Sequence, residues 1–421
     1  MKNKLKLIIP VYLGTLLEWY DFSIFVFLAP VLSNLFFPTS NKLVSALVTY
    51  AVFAIGFVAR PLGGLVFGQY ADNYGRKKSM LLSMMIITMS TTAIGLLPTY
   101  EKVGIYAPLA MVILRLVQGF CIGGESSGSA IYVLEMYLSK YRGALSSFVW
   151  SAVGFGMLLG SSVTTLMFYL FTVDQLNNGC WRLPFLMSML TGIVGLYFRQ
   201  KIPETSLYQM YKSSNKVIKL GAYKVIGENK QTIFTIILLY GLSSVITYIL
   251  FVFMPVYSSQ HNDIDLKIAS SITTIALSIV TILVPLSGYV SDLLGRKFCL
   301  YAGSIGFLVL SIPLYLYMNM EKTVLSFIIS DVIFVLLAIL YQGALTAAVQ
   351  ETTNTQNRFT ITSVGYNISY GLFGGTAPLM VSWISEISGI EILPGIYLTF
   401  FAFLALAAVY CMRETYQMKL A

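Results

Sequence analysis

The sequence predicts an all-α membrane protein of twelve transmembrane helices in two six-helix bundles. Three observations lead there. Hydrophobic residues make up 57% of the 421-residue chain and charged residues only 11%, which leaves too little polar surface to cover a soluble globule of this length. Twelve apolar segments approach or exceed the roughly 20 residues that span a hydrocarbon core: 8–36, 45–71, 79–98, 105–137, 143–172, 182–202, 231–258, 267–291, 298–318, 323–350, 359–386 and 392–412. Finally, Gly68-x-x-x-Asp72-x-x-Gly75-Arg76-Lys77 recurs as Gly288-x-x-x-Asp292-x-x-Gly295-Arg296-Lys297, an offset of 220 residues. One unit is therefore used twice. Pro203-Glu204-Thr205 and Arg413-Glu414-Thr415 echo the duplication, 210 residues apart. The expected organisation is an N-terminal bundle over 1–205, a linker over 206–229 and a C-terminal bundle over 230–421.

The elements follow in chain order. Lys2, Lys4 and Lys6 precede the first segment as in a signal peptide, but Glu18 and Asp21 interrupt it and no small-x-small cleavage site follows. A retained first helix is expected. The second segment carries Arg60 and Pro61, and the repeated string after it reads as a tight loop between two membrane helices rather than a soluble phosphate loop. Glycine pairs four apart, Gly64 with Gly68 and Gly119 with Gly123 among them, suit close packing of helices in lipid. Prolines within or at the ends of spans, including Pro30, Pro255 and Pro378, suit kinks that such helices tolerate. In the linker, Val217, Ile218, Leu220, Tyr223, Val225 and Ile226 lie among lysines, as in an amphipathic helix on the inner leaflet. With Arg413 to Ala421 alone after the twelfth segment, no soluble sensor or coiled coil is expected there.

The net charge of +9 is topological. If the N-terminus is cytoplasmic, the inside loops and tails hold 20 of the 27 basic residues, Arg199 and Arg358 among them, while the outside loops hold Lys42, Lys102, Lys267 and Lys322. Both termini and the central loop are thus expected on the cytoplasmic side, and no nucleic-acid partner is expected. Four cysteines without redox or metal spacing and one histidine, His261 in an outer loop, give no catalytic or metal cluster. An enzyme is not expected, nor a receptor, since no outer domain or signalling tail is evident. The expected partners are a small-molecule substrate, protons and membrane lipid. The protein is expected to be a monomer with no cofactor, the proton serving as coupling ion.

Charges inside spans cost about 2.5–3.5 kcal/mol each on insertion, so they mark a pathway or an internal ion pair. The first half has Glu18, Asp21, Arg60, Arg115 and Glu125, and the second has Asp331 alone. At about 1.5 Å rise per residue, Glu18 and Arg115 each lie about 15 Å into their helices, near the midplane. Glu18 and Asp21, three apart, share a helix face, and the acids and arginines are expected to converge on one cavity between helices 1, 2 and 4. There Asp21 or Glu18 carries a proton and Arg60 or Arg115 partners an acid or a substrate carboxylate, or else all are static ion pairs. Asp331 is either a substrate-site residue or a polar helix contact. Asp72, Arg76, Asp292 and Arg296 serve either as a gating latch, with Arg76 free to pair with an acid across the gate, or as a tight turn obeying the positive-inside rule. The first copy is expected to matter more, as its half carries more buried charge.

The doubled loop resembles the signature of the major facilitator superfamily, whose fold is built from internal inverted repeats. Leu17-Glu18-Trp19-Tyr20-Asp21-Phe22, Arg60-Pro61-Leu62-Gly63-Gly64, Arg115-Leu116-Val117-Gln118-Gly119-Phe120 with Gly123-Gly124-Glu125, and Gly365-Tyr366-Asn367-Ile368 with Gly374-Gly375-Thr376-Ala377-Pro378 resemble its metabolite:proton symporter family. Within that family, Leu97-Pro98-Thr99-Tyr100 and Gly104-Ile105-Tyr106-Ala107-Pro108 are similar to the proline/betaine transporters. The resemblance implies proton-driven uptake of small zwitterions or organic acids, such as proline, betaine, 2-oxoglutarate, citrate or shikimate, across a bacterial inner membrane. An exporter or exchanger of the same fold is the alternative. Two departures stand out: the coiled coil of the osmosensing members is missing, and Ser126-Ser127 follows Gly124-Glu125 where the family has an aromatic and a small residue.

Overall fold

A computed structural model describes residues 2–38, 51–52, 55–136, 141–213 and 222–416. The main helices are α1 (Lys2–Phe27), α2 (Ala29–Phe36), α3 (Arg60–Tyr74), α4 (Arg76–Leu96), α5 (Tyr106–Met136), α6 (Arg142–Leu170), α7 (Arg182–Gln200), α8 (Lys230–Tyr248), α9 (Met254–His261), α10 (Leu266–Leu294), α11 (Arg296–Glu321), α12 (Val324–Glu351), α13 (Arg358–Ile368), α14 (Ala377–Ser388) and α15 (Leu393–Cys411). No strand occurs among the described residues. Eight spans there are long and apolar enough to cross a membrane, and the bent pair Val173–Cys180 and Arg182–Gln200 makes a ninth.

The other three expected spans are interrupted or partly outside the described residues. The first breaks at Leu28, so that α2 can start with Pro30 in its first turn, where a missing N–H costs nothing. The second is seen as α3, with Pro61 in its first turn; most of 45–54 lies outside the described residues. The eleventh passes through a wider, π-type turn, Ser369–Gly374, before Pro378. A similar turn, Ile249–Phe253, precedes Pro255 in the seventh. Each proline deprives the carbonyl four residues back of its donor, and the helix widens to accommodate this.

The chain forms two compact units. The first is Met1–Tyr132 with Ala152–Lys219, and the second is Val133–Ser151 with Leu220–Ala421. The segment Val133–Ser151, from the first sequence half, thus packs with the second unit. In the first unit the core gathers Tyr20, Phe25, Phe36, Met111, Trp181 and Phe185, with Trp181 meeting Phe36 edge-on at 5.4 Å. In the second, Ala276, Val280, Val284, Val335 and Ile339 form a core against which Trp150 packs.

Glycines set the helix approach that matters most. A side chain on Gly63 would run into the Phe120 carbonyl, one on Gly119 into the Gly56 carbonyl, and one on Gly123 into the Arg60 carbonyl. The small-residue seam therefore brings the backbones of α3 and α5 together with Arg60 at the crossing.

Candidate functional site

Helix α1 presents two stripes with different chemistry. Glu18 and Asp21 lie on the stripe facing α7, both buried. Glu18 ion-pairs with Arg199 at 3.2 Å, and the Arg199 guanidinium also donates to the Met80 carbonyl (3.1 Å) and the Ser129 hydroxyl (3.4 Å). Gly14 makes room for that guanidinium, since a Cβ there would occupy its place. Asp21 has Ser188 of α7 as its polar neighbour, and one of its carboxylate oxygens has no hydrogen-bond partner among the described residues.

The other stripe is aromatic and carries the arginines. Arg60 sits over the rings of Phe57 (4.2 Å), Phe22 (4.8 Å) and Trp19 (5.4 Å). It is fully buried, and none of its three nitrogens has a hydrogen-bond partner among the described residues. Arg115 lies over Phe25 (4.4 Å) and Phe22 (4.5 Å) and donates to the Gln118 side chain (2.9 Å) and, weakly, to the Phe22 carbonyl (3.4 Å). Gln118 is oriented in turn by donating to Thr91 at 2.7 Å.

This arrangement corrects two expectations. The acids and arginines do not meet in one cluster: the three-residue spacing puts Glu18 and Asp21 on one face of α1, while Trp19 and Phe22 turn another face to Arg60. The observed partner of Glu18 is Arg199, which the basic-loop count had assigned to topology. It is buried inside α7 because Gly14 and the Glu18 carboxylate make a polar slot for it. The side chain of Glu125 lies outside the described residues.

The repeated loops explain their own motif. Gly75 and Gly295 adopt φ values of 114° and 101°, a region that only glycine enters without strain. Glu204 accepts from the backbone N–H groups of Arg76 (3.1 Å) and Lys77 (3.3 Å), and Glu414 accepts from Arg296 (3.1 Å) and Lys297 (3.0 Å). Each glutamate thus caps the helix that its Arg-Lys pair begins. The two sequence echoes are bonded pairs. Burial pushes the Glu204 carboxyl above its ordinary range, opposed by the Thr205, Lys77 and Arg76 amides and the Arg76 charge.

Arg76 does not await a distant acid. It is buried, pairs with Asp72 one turn before it at 3.2 Å, donates to the Ala71 carbonyl and lies over Tyr208. Arg296 pairs with Asp292 at 2.8 Å and grips both oxygens of Glu351 at 3.1 and 3.2 Å. Asp292 also accepts from the amides of Gly143 (2.8 Å) and Ala144 (2.9 Å), capping α6, and Arg142 joins Glu351 at 3.2 Å. Arg358, buried like Arg199, pairs with Glu135 at 3.3 Å. Sequence inspection missed Arg199, Glu135, Glu351 and Arg358. Their signal was acids and arginines at helix ends, indistinguishable from the positive-inside pattern until packing buries them.

The second unit has a different interior. Asp331 in α12 is buried with no basic partner among the described residues, and one of its oxygens accepts no hydrogen bond. Asp331 lies within electrostatic reach of Tyr315, and a separate aromatic group gathers Tyr240 and Tyr248 from α8, Tyr366 and Tyr370 from the α13 region, and Trp150 from α6.

Helices that bury charged side chains within membrane-length apolar spans, built twice, define a multi-pass membrane transporter. The sequence matches the Major Facilitator Superfamily over residues 11–378, and the chain belongs to that superfamily. It is 31% identical to the ectoine/proline transporter ProP of Corynebacterium glutamicum, covering 97% of this chain and 83% of that protein. It is 30% identical to a putative proline/betaine transporter of Staphylococcus haemolyticus (92% and 83% covered) and to the proline/betaine transporter of Escherichia coli K12 (96% and 82%). Among solved structures it is similar to the proton:xylose symporter XylE bound to 6-bromo-6-deoxy-D-glucose, with a TM-score of 0.81 at 18% identity over 99% of this chain and 97% of that one. That likeness establishes the fold. The protein is a transporter of small molecules rather than an enzyme.

Proposed function

We propose that this transporter imports a small zwitterion, or else a small organic acid, by proton symport with alternating access across a bacterial inner membrane. Arg60 takes the substrate carboxylate and Asp21 carries the coupling proton. The observation that carries this assignment is Arg60 itself: a fully buried guanidinium with no hydrogen-bond acceptor among the described residues. Such a planar fork of donors matches a carboxylate, and the three surrounding rings offset part of the cost of holding it there without a counter-ion. Arg115 positions Phe22, which both guanidinium groups share.

Asp21 is the better proton carrier of the two acids because Glu18 is already paired with Arg199. An unpaired buried carboxyl can change protonation when its access to water changes. Glu125 and Asp331 are further charge partners of the pathway, and Asp72, Arg76, Asp292 and Arg296 steady the loops that move during gating. Both termini face the cytoplasm, the protein acts as a monomer, and no cofactor beyond the proton takes part. The relatives' names favour a zwitterion, such as proline or a betaine, over an organic acid.

The test is uptake of labelled proline, betaine and a dicarboxylate into inverted and right-side-out vesicles, with and without an uncoupler. Accumulation of a zwitterion in right-side-out vesicles that the uncoupler abolishes is expected. Accumulation unaffected by the uncoupler would overturn proton symport, and export against a gradient would reverse the direction.

A further inference from the structure

We propose that Asp331 is a second proton-binding site, distinct from Asp21 and filled from the outer face along a polar strip that α9, α11 and α12 build within the second unit. This site adds to the coupling role of Asp21 and rests on the transport reading for the sidedness of the chain. On α11, Asn319, Tyr315 and Ser311 follow at four-residue steps and so share one face. At the outer end Asn319, half-buried, accepts from the Tyr257 hydroxyl of α9 at 2.7 Å. The Tyr257 ring lies 4.9 Å from that of His261, which is partly exposed with Glu391 4.0 Å away, and meets Tyr315 edge-on at 5.2 Å. Tyr315 donates to the Met254 sulfur at 3.2 Å and packs on Phe334 of α12 at 5.7 Å. Asp331, one turn before Phe334, is within its electrostatic reach.

Orphaned polar atoms follow the same course. The Ser258 hydroxyl and both amide atoms of Asn262, one turn apart at the end of α9, are buried without a hydrogen-bond partner among the described residues. So are the Ser311 hydroxyl on α11, the Ser330 hydroxyl on α12 and one carboxylate oxygen of Asp331 beside it. Buried polar atoms are nearly always bonded, to water where the protein offers no partner. Such atoms on three neighbouring helices mark a hydrated course from the outer end of α9 to Asp331. The distance is short, since Asp331 lies seven residues after Val324, about 10 Å from the outer end of α12.

The elements packed on α12 bring no charge to Asp331 among the described residues. From α11 the titratable group there is Tyr315, while Arg296, Lys297 and Glu321 stand at the two ends of that helix. From α10, Ala276, Val280 and Val284 face α12. Helices α8 and α13 meet it further along, where Tyr240 reaches Thr346 and Arg358 donates to the Gln350 carbonyl. On α12 itself Glu351 is about 30 Å away by helix rise, held by Arg296 and Arg142. A carboxylate at Asp331 would be an uncompensated buried charge; the neutral acid is not, and it gains an O–H to donate. Protonation moves one proton from outer water onto a carboxylate oxygen, and deprotonation returns it to water, with no other reactant. The closely packed outer part of the second unit is thus its protonated form, and outer acid favours it.

The test is infrared difference spectroscopy of the purified full-length protein in right-side-out liposomes as the outer pH is stepped. A carbonyl band of a protonated carboxyl should grow as the pH falls. Part of it should vanish in Asp331→Asn, persist in Asp21→Asn and move to a new frequency in Asp331→Glu. After a jump of the outer medium into heavy water, that part should shift more slowly in Tyr257→Phe combined with Asn262→Leu than in the wild type. Substrate exchange in Asp21→Asn should still respond to outer pH, and the response should be lost in Asp21→Asn with Asp331→Asn. A band indifferent to both substitutions at Asp331 overturns the site, and an unchanged heavy-water shift overturns the outer route. Loss of all pH response in Asp21→Asn alone also overturns the site, leaving the coupling role of Asp21 standing. An Asp331 band in a protein whose uptake ignores the proton gradient would do the reverse.

Discussion

A buried guanidinium is costly unless its charge is compensated, and Arg60, Arg115 and Arg199 meet that cost in three ways. Among the described residues Arg199 has a carboxylate, Arg115 has Gln118, and Arg60 has rings in place of a hydrogen-bond acceptor. The three should therefore fail differently. Arg60→Lys is expected to raise the substrate concentration for half-maximal uptake about tenfold or more with expression intact, because a point charge cannot reproduce the bidentate fork; unchanged uptake kinetics would remove Arg60 from the substrate site. Glu18→Gln strands Arg199 and should cost about 3–5 kcal/mol, read as a marked drop in melting temperature in detergent. Pairing it with Arg199→Gln should restore most of the loss, and a double variant as unstable as the sum of the singles would show that the two do not act as a pair. Asp21→Asn should keep the fold and exchange of substrate down its gradient but lose uphill accumulation. Persistence of uphill uptake in that variant would assign the proton elsewhere. That charges lay inside the first-half spans was legible from the sequence; their pairing was not. Residues 18, 19, 21 and 22 are all near neighbours in the chain, and the sequence cannot say which stripe meets α7 and which meets α3.

At the scale of elements, the repeated loops are helix starts held by a glutamate from the far end of each half. Gly75→Ala and Gly295→Ala would each force a side chain into positive φ, at about 1–3 kcal/mol of strain, and press on the carboxylates of Glu204 and Glu414. Asp292 caps α6 through two amides while pairing with Arg296, so Asp292→Asn should cost about 1–2 kcal/mol and slow turnover at least as much as Asp72→Asn. This reverses the ranking expected from the count of buried charges. Transport assays on matched surface expression decide it, and a near-normal Asp292→Asn turnover would show the cap to be dispensable for transport. The spacing of the motif was plain in the sequence, as was the echo of Glu204 and Glu414. The bond between the two echoes depends on where α7 and α15 end relative to α4 and α11, which is a matter of packing.

At the scale of the molecule, the charge asymmetry predicts sidedness, and exposure indicates where to probe it. Ser213 and Lys102 are both exposed. In a background without the native cysteines, of which Cys411 is exposed, an impermeant thiol reagent added outside should modify Lys102→Cys and spare Ser213→Cys; the opposite pattern would invert the topology. The sequence by itself determined the membrane class, the twelve spans, the duplication and the superfamily, because these follow from composition, from the length of apolar runs and from local motifs, all of them properties of a chain before it folds. Tertiary structure alone decided that Arg199 and Arg358 are ion-paired interior residues, that Arg60 is caged by rings instead of answered by Asp21, and that Val133–Ser151 packs with the second unit. Those outcomes depend on which faces of distant helices meet, and a buried arginine and a solvated one are written with the same letter.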